Sequence, residues 1–323
     1  MKILKEGHNC WRLSHADKVA FLIDGAAYFE TLAETIERAQ KTIFIAAWDI
    51  DSRIQLLRRD DAETQPPCLG DFLNARAKQT RELQVYILTW DYPMLYIRER
   101  EWLPIFNLGW KTHRRIHSHL DDEHPIGASQ HQKMVVIDNR VAFCGGLDLS
   151  NSRWDTPEHK SDDPRRKDPN DKPYGPVHDF QVMVSGDSAA ALGELFNDRW
   201  KWATDIPLED KDCQSTDAWP QNLTPDIKDV NVAIARTLPA YKDRREIREV
   251  EKLYLDGIGA AEKSIYIENQ YLTSDKIAKA IADTLSQKQG PEIIMVLPRE
   301  SAGWLEQSTM DSLRARILKG LFK

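Results

Sequence analysis

The feature that most constrains this chain is a pattern that returns. Residues 24–40 place Ala27, Phe29, Leu32, Ile36 and Ala39 at helical spacing, the mark of an amphipathic helix. That helix runs into Lys41-Thr42-Ile43-Phe44-Ile45, a short apolar run with the character of a buried strand. A second helix at residues 249–261, with Leu253, Ile258 and Ala261 inward, runs into Lys263-Ser264-Ile265-Tyr266-Ile267, 222 residues later. The next elements correspond as well. A helix over 70–80, with Asp71 as its cap, precedes a strand over 83–88. A helix over 277–285 precedes a strand over 292–297, in which residues 294–297 answer 85–88 at an offset of 209. Helix and strand in that alternation imply parallel strands covered by helices, an α/β layered fold, and the repeat implies that the fold begins twice.

The chain has 323 residues, enough for one large domain or two ordinary ones. With 41% hydrophobic and 29% charged residues it has the composition of a globular protein. No apolar run approaches the ~20 residues of a membrane span, and residues 1–8 lack the apolar core of a secretory leader. Cys10, Cys68, Cys144 and Cys213 are widely spaced and read as reduced thiols. A cytoplasmic or peripheral membrane protein is the expectation. The net charge of −7 argues against a general nucleic-acid partner, which needs a basic surface.

The chemistry concentrates in Ser129-Gln130-His131-Gln132-Lys133-Met134-Val135-Val136-Ile137-Asp138 and the following Val141-Ala142-Phe143-Cys144-Gly145-Gly146-Leu147-Asp148. Met134 to Ile137 is a strand, so His131, Lys133 and Val135 share one face. An imidazole and an ammonium therefore leave the same strand edge, one able to act as nucleophile or proton donor and the other to neutralise a phosphate oxygen. Asn139-Arg140 makes a tight hairpin into a second strand. The Gly145-Gly146 pair that closes it lets backbone amides approach an anion.

These residues resemble the phospholipase D superfamily, whose pattern His-x-Lys-x-x-x-x-Asp is met by His131, Lys133 and Asp138. The longer run Gly145-Gly146-Leu147-Asp148-Leu149-Ser150-Asn151-Ser152-Arg153-Trp154-Asp155 is similar to the eukaryotic-type branch and its bacterial relatives. Many bacterial members carry Asn where Asp148 stands. The resemblance implies a layered α/β/α fold and metal-free phosphodiester cleavage, with no cofactor, through a phosphohistidine. It implies His131 as nucleophile, Lys133 as phosphate ligand, and Asp179 as the carboxylate that orients the imidazole, with His178 beside it. Gly145, Gly146 and Asp148 would line the phosphate pocket. Asp138, the third motif residue of the site, lies off the reactive face and is expected to hold the hairpin through backbone hydrogen bonds.

The same resemblance extends over nearly the whole chain, since Glu268-Asn269-Gln270-Tyr271 looks like the family's second half. In the first half, 43 residues separate Leu88 from His131; the same distance from Leu297 lies past Lys323. No second His-x-Lys pattern follows, and the last histidine is His178. The domain expectation is a first repeat at 1–205, a connector at 206–235 and the start of a second repeat at 236–323. The expected function is cleavage, or transfer to an alcohol, of phospholipid head groups at a membrane surface. A homodimer or a partner chain would supply the missing motif. Cardiolipin-synthase-like transfer, a superfamily nuclease and an incomplete binding scaffold are the competing readings.

Two segments stay open at this level. Residues 92–124 are rich in aromatics and histidines but match no zinc spacing, and are expected to form a rim beside the catalytic strand. Residues 151–176 form a long polar loop, an active-site lid or a solvated insertion.

Overall fold

The computed structural model describes residues 3–58, 66–91, 112–208, 218–299 and 310–321. They group into two compact units, one of residues 14–232 and one of residues 1–13 with 233–323.

The larger unit is built on an eight-stranded sheet in the order β4-β3-β2-β5-β6-β7-β1-β8. Its strands are β1 (Arg12–Ile23), β2 (Thr42–Ala47), β3 (Gln84–Trp90), β4 (Ile116–Asp121), β5 (Met134–Ile137), β6 (Val141–Gly145), β7 (Phe180–Ser185) and β8 (Ile227–Ile234). β2, β3 and β4 are mutually parallel, as the helix–strand alternation predicts. From β5 onward the neighbours β2/β5, β5/β6, β6/β7 and β7/β1 are antiparallel. The sheet is therefore mixed, parallel where helices connect the strands and antiparallel from the expected hairpin onward. The cause is local: the three-residue turn at residues 138–140 is too short for a crossover and forces β6 back alongside β5. Asp138 and Asn139 adopt φ of 53° and 52° to make it, so the turn starts one residue earlier than Asn139.

Alternate strand residues face opposite layers. Ile43, Ile45, Val85, Ile87, Val135 and Ile137 join one core with Phe29, Leu32 and Ile36 of α1 (Asp24–Arg38) and Leu69, Leu73 and Ala77 of α2 (Leu69–Gln79). On the other face α3 (Asp187–Thr204) stacks Phe196 on Phe44, with ring centroids 4.8 Å apart. The unit is thus a three-layer α/β/α arrangement. Each fully buried Phe, Leu or Ile of α1 contributes about 1.5–3 kcal/mol to it. Asp71 is not the cap of α2. Cys68 holds that position and its Sγ donates to Asp71 Oδ2 at 3.3 Å, within the first turn.

Of the segment expected as a rim, residues 92–111 lie outside the described residues, and the remainder supplies β4. The stretch read as a connector, 206–235, supplies β8, and β1 has no counterpart in the sequence reading.

In the second unit, β9 (Thr237–Leu238) pairs with β10 (Ile247–Arg248), and α4 (Glu249–Ala260) leads to β11 (Ser264–Glu268). α5 (Asp275–Leu285), capped by Ser274, precedes β12 (Glu292–Val296), and α6 spans Ser312–Leu321. β11 and β12 are parallel. Ser264 pairs with Glu292 as Thr42 pairs with Gln84, so the structural offset of the second strand is one residue smaller than the apolar pattern alone suggested.

Candidate active site

His131 and Lys133 lie in the extended segment just before β5, carried to the sheet edge by the antiparallel pairing of β5 with β2 and β6. Lys133 Nζ is 3.3 Å from His131 Nε2, so the two side chains do share one face. An ammonium only donates; Nε2 is then the acceptor and the ring proton sits on Nδ1, the tautomer that nucleophilic attack through Nε2 requires.

Lys133 is buried, whereas His131 is exposed. Burial pushes the ammonium below its ordinary lysine value; the adjacent Asp148 carboxylate, with Oδ2 at 3.1 Å from Nζ, opposes that shift. Asp148 is itself buried and accepts from the Trp48 and Asp49 amides at 2.9 and 3.3 Å. It is the counter-ion that keeps Lys133 charged inside the protein. Trp48 adds a wall: its ring stands edge-on to His131 at 5.6 Å, lies 5.7 Å from Lys133 Nζ, and stacks on Trp90. Trp90 in turn donates from Nε1 to His124 Nε2 at 2.9 Å.

Asp138 accepts from the Gln40, Lys41 and Thr42 amides at 2.8, 2.7 and 2.8 Å and is fully buried. It ties the turn between α1 and β2 to the β5–β6 hairpin, the backbone role expected of it.

The glycine pair acts differently from the expectation. Gly145 N–H donates to the Lys133 carbonyl at 3.3 Å and Gly146 N–H to the Phe180 carbonyl at 3.2 Å, so both amides are engaged by protein. These positions are glycine for lack of room. A Cβ on Gly145 would lie 1.8 Å from Gln181 Oε1, and one on Gly146 would lie 2.2 Å from Asp179 Oδ1.

Asp179 thus lies against Gly146, accepting from the Phe180 amide at 2.8 Å. Burial raises its carboxyl above the usual range, against the pull of that amide, Arg153, Lys133 and His178. His178 turns away to Asp24, whose Oδ1 is 2.8 Å from His178 Nδ1. Asp24 also receives the Asp179 amide at 3.2 Å, and its Oδ2 is 3.4 Å from His159 Nε2. Asp24, His159 and His178 offer ligand atoms all within 4.8 Å of one another, a nitrogen–oxygen set that could hold a divalent cation. Two of the histidines of 113–124 are engaged elsewhere: His117 Nε2 lies 3.1 Å from Gln84 Oε1 and His124 takes the Trp90 indole. The sequence reading missed Asp24 and His159 as a pair because their 135-residue separation leaves no local signal.

The long polar loop is pinned to the protein interior at a few buried side chains. Buried Asp155 accepts from the Thr156 and Val177 amides and from Arg166 Nη1, a fully buried guanidinium 3.0 Å away. Tyr174 donates to the Trp154 carbonyl, and Arg58 and Arg165 lie over the Trp154 ring at 5.1 and 5.0 Å. No helix among the described residues is long and apolar enough to cross a membrane.

A model of the phospholipase D family matches residues 111–294, more than half of the chain. Phospholipase D B of Dictyostelium discoideum is 28% identical over 217 residues, covering 57% of this chain and 17% of its own length. Phospholipase D zeta 1 of Arabidopsis thaliana is 29% identical over 228 residues, covering 59% and 20%. Phospholipase D gamma 3 of the same plant is 26% identical, covering 75% and 37%. The chain spans well under half the length of these relatives. Among solved structures, the phosphatidylserine synthase of Haemophilus influenzae shares the fold, with a TM-score of 0.55 at 15% identity over 96% of this chain and 72% of that one.

Proposed function

As this chain belongs to the phospholipase D family, we propose that it is a phosphodiesterase of that type, cleaving phospholipid head groups or transferring the phosphatidyl group to an alcohol. The observation that carries this reading is the His131–Lys133–Asp148 array: a nucleophilic nitrogen 3.3 Å from a buried ammonium, which is held charged by a carboxylate 3.1 Å further on. His131 Nε2 attacks phosphorus, the new N–P bond forms as the P–O bond to the leaving alcohol breaks, and Lys133 passes from the imidazole to a non-bridging oxygen. Asp179 takes the Nδ1 proton's hydrogen bond as charge develops on the ring. A second His-x-Lys motif, from outside these 323 residues, protonates the leaving oxygen and then activates the water or alcohol that releases the product. The β11–β12 pair repeats the register of β2–β3, which supports reading residues 236–323 as part of a second repeat.

A p-nitrophenyl phosphodiester separates the two motifs, because its leaving group departs without a proton. Rapid quench and mass spectrometry of the full chain with this substrate are expected to find the remaining phosphoryl ester on His131, and none in H131N. An unlabelled His131 in the wild-type chain sinks the reading. Formation of phosphatidylethanol from phosphatidylcholine vesicles and ethanol tests the lipid assignment separately.

A further inference from the structure

The polar loop at 151–176 meets the start of α1 and the entrance to β7 at a cluster that the chemistry above does not use. Asp24 is at its centre, fully buried, on a backbone of φ 63° that few residues other than glycine adopt; His159 does the same at 43°. A carboxylate withdrawn from water needs a compensating charge or a full set of hydrogen bonds. Asp24 Oδ1 accepts from the Asp179 amide at 3.2 Å and lies 2.8 Å from His178 Nδ1. Asp24 Oδ2 is buried and accepts no hydrogen bond among the described residues. It faces His159 Nε2 at 3.4 Å. The buried guanidinium of the loop, Arg166, bonds Asp155 instead, and among the described residues no lysine or arginine forms an ion pair with Asp24.

The orientation of His159 is fixed from behind. Its Nδ1 is 3.1 Å from Asp155 Oδ2, and an ionised carboxylate only accepts, so Nδ1 carries the proton. In the neutral ring Nε2 then points a lone pair at the Asp24 carboxylate. Two acceptors can face each other in this way if Nε2 is also protonated or if a cation lies between them. The distance separates these cases. A charge-assisted N–H···O bond closes to about 2.7–2.9 Å. A tetrahedral ion with bonds of ~2.0–2.1 Å holds its ligand atoms about 3.3–3.4 Å apart. The observed 3.4 Å matches the second. His178 brings a further ring nitrogen, and ligand atoms from all three residues lie within 4.8 Å of one another. The His159 and His178 side chains are 31% and 47% exposed, which leaves an approach from solvent and room for a water ligand.

We propose that Asp24, His159 and His178 form a binding site for a divalent transition cation of the zinc type. Two imidazoles and one carboxylate favour such an ion over magnesium or calcium, which prefer all-oxygen shells. Asp155 is the positioning residue, a carboxylate that orients a metal-bound imidazole through its other nitrogen. The ion joins α1, the polar loop and the entrance to β7, which are far apart in sequence. Asp24 also donates its amide to the Asp179 carbonyl at 2.8 Å, so the ion steadies the backbone of Asp179. No step of the proposed cleavage passes through it, and the site is measured without turnover, independently of the phosphodiesterase reading.

The probe is Zn²⁺ alone, titrated calorimetrically into the full chain after treatment with EDTA and dialysis, for wild type, H159Q, H178Q and D155N. Wild type is expected to bind one Zn²⁺ per chain and to gain thermal stability that EDTA reverses. D155N is expected to lose about 10- to 100-fold in affinity, and H159Q and H178Q, which change partly exposed side chains, more than that. Co²⁺ in place of Zn²⁺ should give the intense visible absorption of a four-coordinate site in wild type and in neither histidine variant. A wild-type chain that takes up no Zn²⁺ overturns the proposal, and His159 then bonds Asp24 as an imidazolium. Zinc affinity unchanged in both H159Q and H178Q overturns it as well, since the ion then sits elsewhere.

Discussion

Lys133 is a buried ammonium whose charge is supported chiefly by one carboxylate, Asp148. Removing that carboxylate with D148N takes away the main opposition to burial, so the lysine falls further below its ordinary value and loses its proton at lower pH. The alkaline limb of phosphodiester cleavage is expected to move to lower pH in D148N. Denaturant unfolding at pH 7 should show a loss of about 3–5 kcal/mol, the cost of stranding one member of a buried pair. Adding K133M should recover most of that stability and none of the activity; a D148N as stable as wild type would refute the pairing. At this scale the sequence was informative only where the chemistry is local. His131 and Lys133 are two residues apart on one extended segment, so strand alternation places them together. Asp148 was legible as part of the pocket but not as the lysine's counter-ion, because that contact depends on how β6 returns along β5.

Among the elements, the segment at 151–176 shows how composition can mislead. Its aspartates and arginines read as solvated, yet pairing lets Asp155 and Arg166 enter the interior together. Asp163 is held down to about 2 by its hydrogen bonds to the Arg165 side chain. Asp155 is also below the ordinary value: burial raises it, but the Val177 amide, His159, Arg166 and the Thr156 amide outweigh that. A depressed carboxyl stabilises the fold fully above its unfolded value, ~3.9 for aspartate, and the contribution disappears as pH falls through the folded value. Hydrogen exchange across 151–176 is therefore expected to accelerate between about pH 4 and pH 2 before the rest of the sheet responds. D163N should remove part of that dependence, and a loop that opens only with global unfolding would contradict it.

Across the whole molecule the repeat was plain in the sequence because helix and strand periods survive at any distance. How firmly each copy is packed was not. In the larger unit β2 is buried along its full length, whereas β11 and β12 alternate between half-buried and exposed, leaving Tyr266 62% and Ile294 56% exposed. Parallel strands with an open face are weakly held. Amides of β11 and β12 are thus expected to exchange at least about 100-fold faster than those of β2 and β3, read by hydrogen-exchange mass spectrometry. Equal protection would mean that the two pairs are equally supported.

The bonds from Asp138 to residues 40–42 have a consequence for how the chain comes into being. Each closes a span of nearly a hundred residues, and β2 reaches its second neighbour, β5, only when that span has been made. A growing chain can join β2, β3 and β4 as each emerges, but β2 then waits as an apolar edge with unpaired amides. The geometry around His131 is consequently assembled late, and the chain's greatest exposure to misassembly falls in the interval between synthesis of β4 and arrival of the β5–β6 hairpin.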